Sequence, residues 1–294
     1  VETGFILEHD RRILDRYTFR PRYIDGAEPI TTCRILDVEL ATPVIMSAMT
    51  MPIPAITDNG LMDVAQALKD AGSLMWVGTP IPKNLKDLAA TGVPIVANAK
   101  PFRDRDKVFR DLEEIQKAGV TWVGIETDAG QGTKIHDKQV ASDCAPLSLQ
   151  ELKDIRKNVS CPLICKGILS RRDAEKCVEA DADGMVVSNH GAHTLDYLPH
   201  ALQVMDEIVA AVGDKTVLIA DGGFRRGSDV LKGLAFGASV VGLGRPILYG
   251  LAAQGREGVY HLIDEITKEM VRIMSMIGAE NPAKLTRDML IEDP

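Results

Sequence analysis

Short apolar runs alternate with longer amphipathic segments along almost the whole chain. The alternation occurs eight times, and the apolar runs span residues 43–47, 73–77, 94–98, 122–125, 162–166, 184–188, 217–221 and 240–244. Strands separated by helices form parallel βαβ units, whose buried strands are short continuous apolar runs. Eight such units close into a barrel more readily than they stack as an open sheet. The pattern therefore predicts an α/β fold of the TIM (β/α)8 barrel class.

The segments outside these runs fit around one barrel. A chain of 294 residues lies within the size range of a single α/β barrel, and no linker-like tract divides it. We expect residues 1–294 to form one domain, in which residues 1–42 cover one end of the barrel. Residues 129–147 are polar and predict a long loop, and residues 256–277 predict a helix after the last strand.

Composition narrows the possible partners and the cellular location. The net charge is -8 and no basic run is present, which argues against nucleic acid and anionic membranes as partners. No apolar stretch approaches the roughly 18 residues that a transmembrane helix needs. The five cysteines form no CxxC pair, and their odd number argues against a full disulfide framework. We expect reduced thiols, no metal site and a cytoplasmic location.

Polar side chains follow the apolar runs at the strand ends where TIM barrels carry their active sites. These residues are Asn98, Lys100, Glu126, Asp128, Lys166, Ser188, Asn189, His190, Asp221 and Arg245. A barrel that only had to pack its core would not concentrate such groups on one rim. The sequence therefore predicts an active site at this rim.

Two glycine-containing turns come after the last two strands. The stretch 221–229 reads Asp-Gly-Gly-Phe-Arg-Arg-Gly-Ser-Asp, and Gly244-Arg245-Pro246 follows one unit later. Backbone N–H groups at glycines and at helix N-termini bind phosphate, and an arginine can bind it through two parallel hydrogen bonds. The loops after strands seven and eight are the usual phosphate site of this barrel. The two turns therefore predict a phosphate-bearing ligand.

Four motifs together resemble the FMN-dependent 2-hydroxy acid oxidases and dehydrogenases, the family of glycolate oxidase and lactate oxidase. They are Pro-Leu-Ile-Cys-Lys-Gly at 162–167, Val-Ser-Asn-His-Gly at 187–191, the turn 221–229 and Gly-Arg-Pro at 244–246, in the family's order and spacing. The resemblance covers most of the chain and implies an FMN cofactor, a small-molecule substrate and a homo-oligomer, with a homotetramer as the family's usual state.

The resemblance also implies catalytic roles. His190 matches the family's base, which takes a proton from the substrate, and a neutral imidazole can do this near neutral pH. Asp128 matches the carboxylate that orients the base. Lys166 matches the lysine beside the N1–C2=O edge of the flavin, where a cation favours the reduced form.

The cofactor contacts implied by the resemblance lie on both sides of the flavin. They are Thr50, Gly78, Asn98, Lys166, Ser188, Asp221, Gly223, Arg225, Gly244 and Arg245.

On the substrate side the chain departs from the family. His193 stands where the family has the arginine that binds the substrate carboxylate, and imidazole cannot make the same planar two-point contact. Lys100 stands for a tyrosine and Glu126 for a threonine. These three residues are the expected substrate contacts. Lys100 as the replacement cation and Glu126 as a group selecting a cationic or hydroxylated substrate are two open hypotheses.

The leading interpretation is an oxidoreductase that removes a proton and transfers a hydride equivalent to FMN. A flavin-dependent isomerase or other non-redox enzyme at the same site, using His190 and His193 as an acid–base pair, is an alternative. A non-catalytic FMN-binding protein is another, which the missing arginine favours and the retained His190, Asp128 and Lys166 oppose. The sequence does not distinguish oxygen, a quinone or a protein as electron acceptor.

Overall fold

The computed structural model describes residues 3–24, 26, 28–130 and 143–293. The strands within these residues are β1 (Tyr17–Phe19), β2 (Cys33–Ile35), β3 (Val38–Leu40), β4 (Val44–Met46), β5 (Met75–Val77), β6 (Ile95–Ala99), β7 (Trp122–Glu126), β8 (Leu163–Ile168), β9 (Gly184–Val187), β10 (Val217–Asp221), β11 (Val240–Leu243) and β12 (Leu290–Glu292). The α-helices are α1 (Phe5–Asp15), α2 (Gly60–Asp70), α3 (Leu85–Ala90), α4 (Arg105–Lys117), α5 (Leu149–Lys157), α6 (Arg171–Glu179), α7 (Ala201–Val212), α8 (Gly227–Ala235) and α9 (Arg245–Ile277).

Eight strands, β4 to β11, form one sheet in which all the ladders are parallel. The order around the sheet is β4-β11-β10-β9-β8-β7-β6-β5. The remaining gap, between β4 and β5, is bridged where the Met46 N–H donates to the Leu74 carbonyl at 3.0 Å and the Met49 N–H donates to the Trp76 carbonyl at 3.1 Å. Each predicted apolar run overlaps one barrel strand, so the predicted TIM barrel is confirmed.

The barrel interior changes from apolar to polar along the strands. One buried apolar side chain from each strand joins a common cluster, formed by Ile45, Trp76, Val96, Trp122, Ile164, Val186, Ile219 and Val240. Side chains alternate between the two faces of a strand, so residues two positions apart share a face. Glu126 and Lys166 therefore lie on the interior face above Trp122 and Ile164, and they are register partners across β7 and β8.

The segment before β4 reaches both ends of the barrel. Strands β2 and β3 form an antiparallel hairpin whose Ile35 and Leu40 join the interior cluster, and the Trp122 Nε1–H donates to Asp37 at 2.8 Å. At the other end, α1 contacts the loops that follow β9 and β10, as described below. The division of the chain into one domain with a covering segment at 1–42 stays a prediction.

Side chains cap the starts of two helices. Ser148 caps α5 in a reciprocal capping box with Glu151, and the Ser170 hydroxyl accepts a hydrogen bond from the Asp173 N–H at the start of α6. Both arrangements satisfy N–H groups that have no partner within the helix.

The last long helix differs from its predicted bounds. Helix α9 begins at Arg245 rather than at residue 256, and it is interrupted at Gln254 and Gly255, where the backbone is not helical. The predicted helix 256–277 is the part after this break, because the glycine hides the continuity in the sequence. Of the predicted loop 129–147, residues 131–142 lie outside the described residues. None of the described helices has the length and hydropathy that crossing a membrane requires.

Candidate active site

His190 and Asp128 form a hydrogen-bonded pair at the carboxyl ends of the strands. His190 follows β9 in a tight turn with φ of 54°, and Asp128 follows β7. His190 Nδ1 lies 2.8 Å from Asp128 Oδ2, and the two side chains are 15% and 11% exposed. A carboxylate facing Nδ1 favours the tautomer that has its proton there. This tautomer leaves Nε2 with a lone pair that can accept a proton.

The backbone around this pair is shaped to hold it. Gly167, in β8, has φ of +97°, and a Cβ atom added there would lie 2.3 Å from Asp128 Cγ. The Ser188 hydroxyl accepts a hydrogen bond from the His190 N–H at 3.0 Å. Asp128 therefore packs directly against a glycine backbone, and the His190 turn is tied to the end of β9.

The electrostatic surroundings keep Asp128 ionised. Burial alone would raise the pKa of Asp128, but the charges of His190 and Lys166 and the hydrogen bond from His190 outweigh it and lower the pKa to about 2. An ionised carboxylate at neutral pH can stabilise an imidazolium that forms on His190.

Lys166 carries a buried ammonium group in need of a partner. The residue is 2% exposed, and its Nζ has no hydrogen-bond partner among the described residues. The Asp128 Oδ1 and Glu126 Oε2 atoms share this condition. A buried polar group without a partner is costly, so these atoms suit a bound polar ligand. The N1–C2=O edge of a flavin offers acceptors for the ammonium, and the residues present therefore fit FMN.

Glu126 and Lys100 form a buried ion pair beside this cluster. Lys100 Nζ lies 3.2 Å from Glu126 Oε2, although the angles are not those of a hydrogen bond. Glu126 Oε1 accepts a hydrogen bond from Asn98 Nδ2 at 3.1 Å, and Asn98 Oδ1 accepts one from Trp76 Nε1 at 2.7 Å. Burial raises the pKa of Glu126, but the charges of His190, Lys100 and Lys166 lower it overall. The three predicted residues Asn98, Lys100 and Glu126 are thus brought together.

His193 lies at the open side of the His190–Asp128 pair. Its ring centroid is 5.8 Å from that of His190, with the rings tilted by 51°. The side chain is exposed, and it follows a turn in which Gly191 and Ala192 also have positive φ. His193 can therefore approach a molecule that reaches His190 from outside the barrel.

The predicted phosphate-binding turns lie at two helix starts. Gly222 and Gly223, with φ of +102° and +75°, follow Asp221 at the end of β10 and lead to the first residue of α8. Gly244 precedes α9, whose first residue is the half-buried Arg245. Backbone N–H groups at the two helix starts can bind an anion.

Three more predicted cofactor residues take different positions. The Thr50 hydroxyl donates to the Gly78 carbonyl at 3.0 Å, which places these two residues together after β4 and β5. Arg225 is exposed, and its backbone N–H donates to Asp229 at 2.9 Å.

Sequence reasoning missed two polar residues that support the site. Asp10 of α1 accepts a hydrogen bond from Asn189 Nδ2 at 2.8 Å, next to His190. His200 Nε2 lies 2.8 Å from the Gly222 carbonyl, and burial lowers the pKa of His200 to about 4. Asp10 was detectable in principle, because it shares the buried face of α1 with Ile6, Ile13 and Leu14. An acid on the apolar face of an amphipathic helix needs a reason.

The structure also bears on metals and disulfides. Within the described ranges, no three histidine, cysteine, aspartate or glutamate side chains are grouped so that they could hold a metal ion. All five cysteines are free thiols, and Cys144, Cys165 and Cys177 are buried.

Curated relatives match this chain over more than half of its length. Glycolate oxidase 3 of Arabidopsis thaliana is 29% identical over 329 aligned positions, covering 99% of this chain and 89% of the relative. A peroxisomal (S)-2-hydroxyacid oxidase of the same plant is 42% identical over 166 positions, covering 56% of this chain and 46% of the relative.

Solved structures agree with these matches. A crystal structure of mandelate oxidase superposes with a TM-score of 0.90 at 28% identity, covering 98% of this chain and 90% of that one. A mandelate oxidase variant with a monooxide FMN adduct superposes with a TM-score of 0.89 at 30% identity, covering 98% and 91%. The profile of the FMN-dependent dehydrogenase family matches residues 1–141 and 130–292. This chain therefore belongs to the FMN-dependent dehydrogenase family.

Proposed function

We propose that this protein oxidises a 2-hydroxy acid to the corresponding 2-oxo acid, with FMN as its cofactor. The observation that carries the proposal is the His190–Asp128 pair beside the buried Lys166 ammonium. A base for the hydroxyl proton and a cation for the flavin are the two groups that this oxidation requires from the protein. The family membership and the glycolate and mandelate oxidase relatives support the same reaction.

The proposed mechanism begins with proton removal. His190 Nε2 accepts the proton of the substrate hydroxyl group, while Nδ1–H remains bonded to Asp128. Asp128 stabilises the positive charge that forms on the imidazole and keeps the ring in one orientation. FMN, when bound, would supply the electron acceptor for the two electrons of the substrate C–H bond, which leave as a hydride equivalent. The substrate thus loses two electrons and two protons and becomes a 2-oxo acid.

Other residues would hold the cofactor. Lys166 would contact its N1–C2=O edge, where the positive charge favours reduction. The phosphate group would bind at Gly223, Gly244 and Arg245, with Arg225 able to close over it from the exposed side. Thr50, Gly78, Asn98, Ser188 and Asp221 complete the proposed set.

We assign the substrate carboxylate to Lys100 and His193. Lys100 is the buried cation on the predicted substrate side, and His193 lies beside His190 at the entrance. Asn98 holds Glu126 in place through a hydrogen bond. Glu126 in turn neutralises part of the Lys100 charge and fixes the position of the Lys100 ammonium group. In this arrangement Glu126 positions the cation, in place of the alternative that it selects cationic substrates.

The Lys100 assignment is testable with a substrate pair. In Lys100→Met we expect kcat/KM to fall by about tenfold or more for a 2-hydroxy acid and much less for its uncharged amide, because only the acid presents a carboxylate. The double variant Lys100→Met/Glu126→Gln serves as the control, since it leaves no buried unpaired carboxylate. Equal losses for acid and amide in both variants would remove Lys100 from the carboxylate site.

The proposed reaction is tested without oxygen. Holoenzyme mixed anaerobically with a panel of 2-hydroxy acids should lose its visible flavin absorbance with at least one of them, and one 2-oxo acid should form per flavin. Steady turnover in the absence of any electron acceptor would instead indicate a non-redox reaction. Retained flavin colour with every member of a broad panel would indicate a binding protein.

Two further expectations belong to this proposal. We propose that the protein is a homo-oligomer, as the resemblance of its sequence to this family implies, and that it acts in the cytoplasm. Light scattering coupled to size-exclusion chromatography measures the first, and a monomer at micromolar concentration would contradict it. Fractionation of source cells tests the second.

A further inference from the structure

Asp10 is a buried carboxyl group on the helix that closes over the predicted phosphate turn. Asp10 is 1% exposed, and a Cβ atom added to Gly223 would lie 2.5 Å from the Cβ atom of Asp10. Its Oδ1 accepts a hydrogen bond from Asn189 Nδ2 at 2.8 Å, whereas Oδ2 has no partner among the described residues. One carboxyl group therefore contacts both the turn that carries His190 and the turn predicted to bind phosphate.

The charges facing Asp10 come from three elements. On α1 itself are His9, which pairs with Gln203, and Arg11, which donates to the Gly223 carbonyl at 3.3 Å and to Asp229 at 2.7 Å. Arg245 at the start of α9 attracts the carboxylate, and Asp221 at the end of β10 repels it.

These surroundings make Asp10 harder to ionise than an exposed carboxyl group. Burial raises the pKa of Asp10 to about 6, because it outweighs the hydrogen bond from Asn189 and the charges of His9 and Arg245. An anion placed nearby would raise this pKa further, since a like charge disfavours ionisation.

We propose that Asp10 is a proton-linked determinant of FMN affinity, neutral when the phosphate group occupies the Gly223 and Arg245 turns and repelling that group when ionised. The inference rests on the proposed use of FMN at this site. Arg245 is central to it, because the same guanidinium group that attracts Asp10 is a proposed phosphate ligand. Phosphate binding withdraws part of this attraction from the carboxylate and adds a repulsion.

The sign of the effect follows from linkage. Below about pH 6, Asp10 is neutral in both the free and the bound protein, so binding involves no change at this residue. Above about pH 6, the free protein has an ionised Asp10 that must take up a proton or repel the phosphate. The dissociation constant for FMN therefore rises with pH, by about tenfold for each unit by which binding raises the pKa of Asp10.

The test compares three holoenzymes by flavin fluorescence on dilution, from about pH 5.5 to about pH 8.5. They are the wild type, Asp10→Asn and the control Glu8→Gln, which alters an exposed acid on the same helix. The phosphate of free FMN titrates in this range, with a pKa of about 6, and it does so equally whichever variant is present. The wild-type to Asp10→Asn ratio of dissociation constants therefore isolates Asp10. Riboflavin, which lacks the phosphate, is measured in parallel on flavin-free protein.

We expect the ratio for FMN to rise from near one at about pH 5.5 to about tenfold at about pH 8.5, with Glu8→Gln behaving as the wild type and the riboflavin ratio nearly level. A ratio that does not change with pH, or an equal rise for riboflavin, would overturn the inference while leaving FMN binding intact. Failure of the wild type to bind FMN at any pH would overturn the proposed function as well. If Asp10→Asn does not fold, the wild type alone tests the inference. Its dissociation constant for FMN must rise between about pH 7 and about pH 8.5, where ionisation of the phosphate is largely complete. A dissociation constant that stays level over this range overturns the inference.

Discussion

At the scale of single residues, the proposed chemistry depends on how one carboxylate is held against one imidazole. Asp128 is buried, ionised and 2.8 Å from His190 Nδ1. In Asp128→Asn, we expect kcat/KM to fall by about 10²- to 10⁴-fold, because the neutral amide neither stabilises the imidazolium nor selects the tautomer. The flavin absorbance spectrum should be retained, which separates this loss from loss of cofactor. Activity within threefold of the wild type would contradict the assigned role.

Lys166 tests the cofactor side of the same site. In Lys166→Met, we expect the two-electron midpoint potential of the bound flavin to become more negative by about 30–60 mV, because a buried cation that favours the reduced form is lost. Spectroelectrochemical titration measures this shift. Lys117→Met, which alters an exposed lysine on α4, is the matched control and should leave the potential unchanged. An unchanged potential in Lys166→Met would place its ammonium away from the flavin.

The strand pattern predicted that His190, Asp128 and Lys166 lie on one rim of the barrel, because each stands at the end of a recognisable apolar run, and the family resemblance implied their roles. The hydrogen bonds around these three residues were harder to predict. The bond from Trp76 to Asn98 depends on the register between neighbouring strands, and the bond from Asn189 to Asp10 joins residues 179 positions apart. Neither relation leaves a local sequence pattern.

At the scale of elements, the end of β8 controls where Asp128 lies. In Gly167→Ala, the positive φ and the clash with Asp128 act together, and we expect a loss of about 1–3 kcal/mol in the free energy of unfolding. The displaced Asp128 should also lower kcat. Gly119→Ala provides the control, because Gly119 has φ of +82° but nothing within 4 Å of an added Cβ. Chemical denaturation and steady-state kinetics should show a stability loss in both variants and a loss of kcat only in Gly167→Ala. Equal kcat in the two variants would contradict this account.

The element bounds show which local signals are reliable. Capping residues mark the starts of α5 and α6, since a side chain and a backbone N–H that lie only three residues apart form a local sequence pattern. The start of α9 was missed, because a glycine at 255 interrupts the helix without ending it. Continuation across the break depends on packing, including the close approach of Gly250 to Gly258.

At the scale of the whole molecule, the pH dependence of stability should contain a contribution from His200. Burial lowers the pKa of His200 to about 4, whereas the unfolded chain has the ordinary value near 6.5. The folded state therefore binds this proton less readily than the unfolded chain. The contribution of neutral His200 to the free energy of unfolding is complete above about pH 6.5, and it falls by about 3 kcal/mol as the pH drops to about 4. In His200→Asn, which keeps a good helix-capping residue, this part of the fall should disappear. Protonation of Asp10 stabilises the folded state and so acts in the opposite direction. The free energy of unfolding is therefore measured by chemical denaturation at several pH values for both the wild type and His200→Asn, and the two pH dependences are compared. The same pH dependence of the free energy of unfolding in both proteins would contradict the assignment.

The whole fold was the most predictable feature, because eight apolar runs of similar length leave few alternatives to a closed parallel barrel. The arrangement of residues 1–42 was less predictable, since the β2–β3 hairpin and α1 contact opposite ends of the barrel. Both contacts join residues far apart in the chain.

The central claim is that His190 is the base that starts oxidation beside FMN. The direct test is anaerobic stopped-flow mixing of a reactive 2-hydroxy acid with wild-type and His190→Ala holoenzymes of equal flavin content. The account predicts a loss of flavin absorbance that is slower in His190→Ala by about 10²- to 10⁴-fold at saturating substrate. Equal rates of flavin reduction in the two proteins would contradict it.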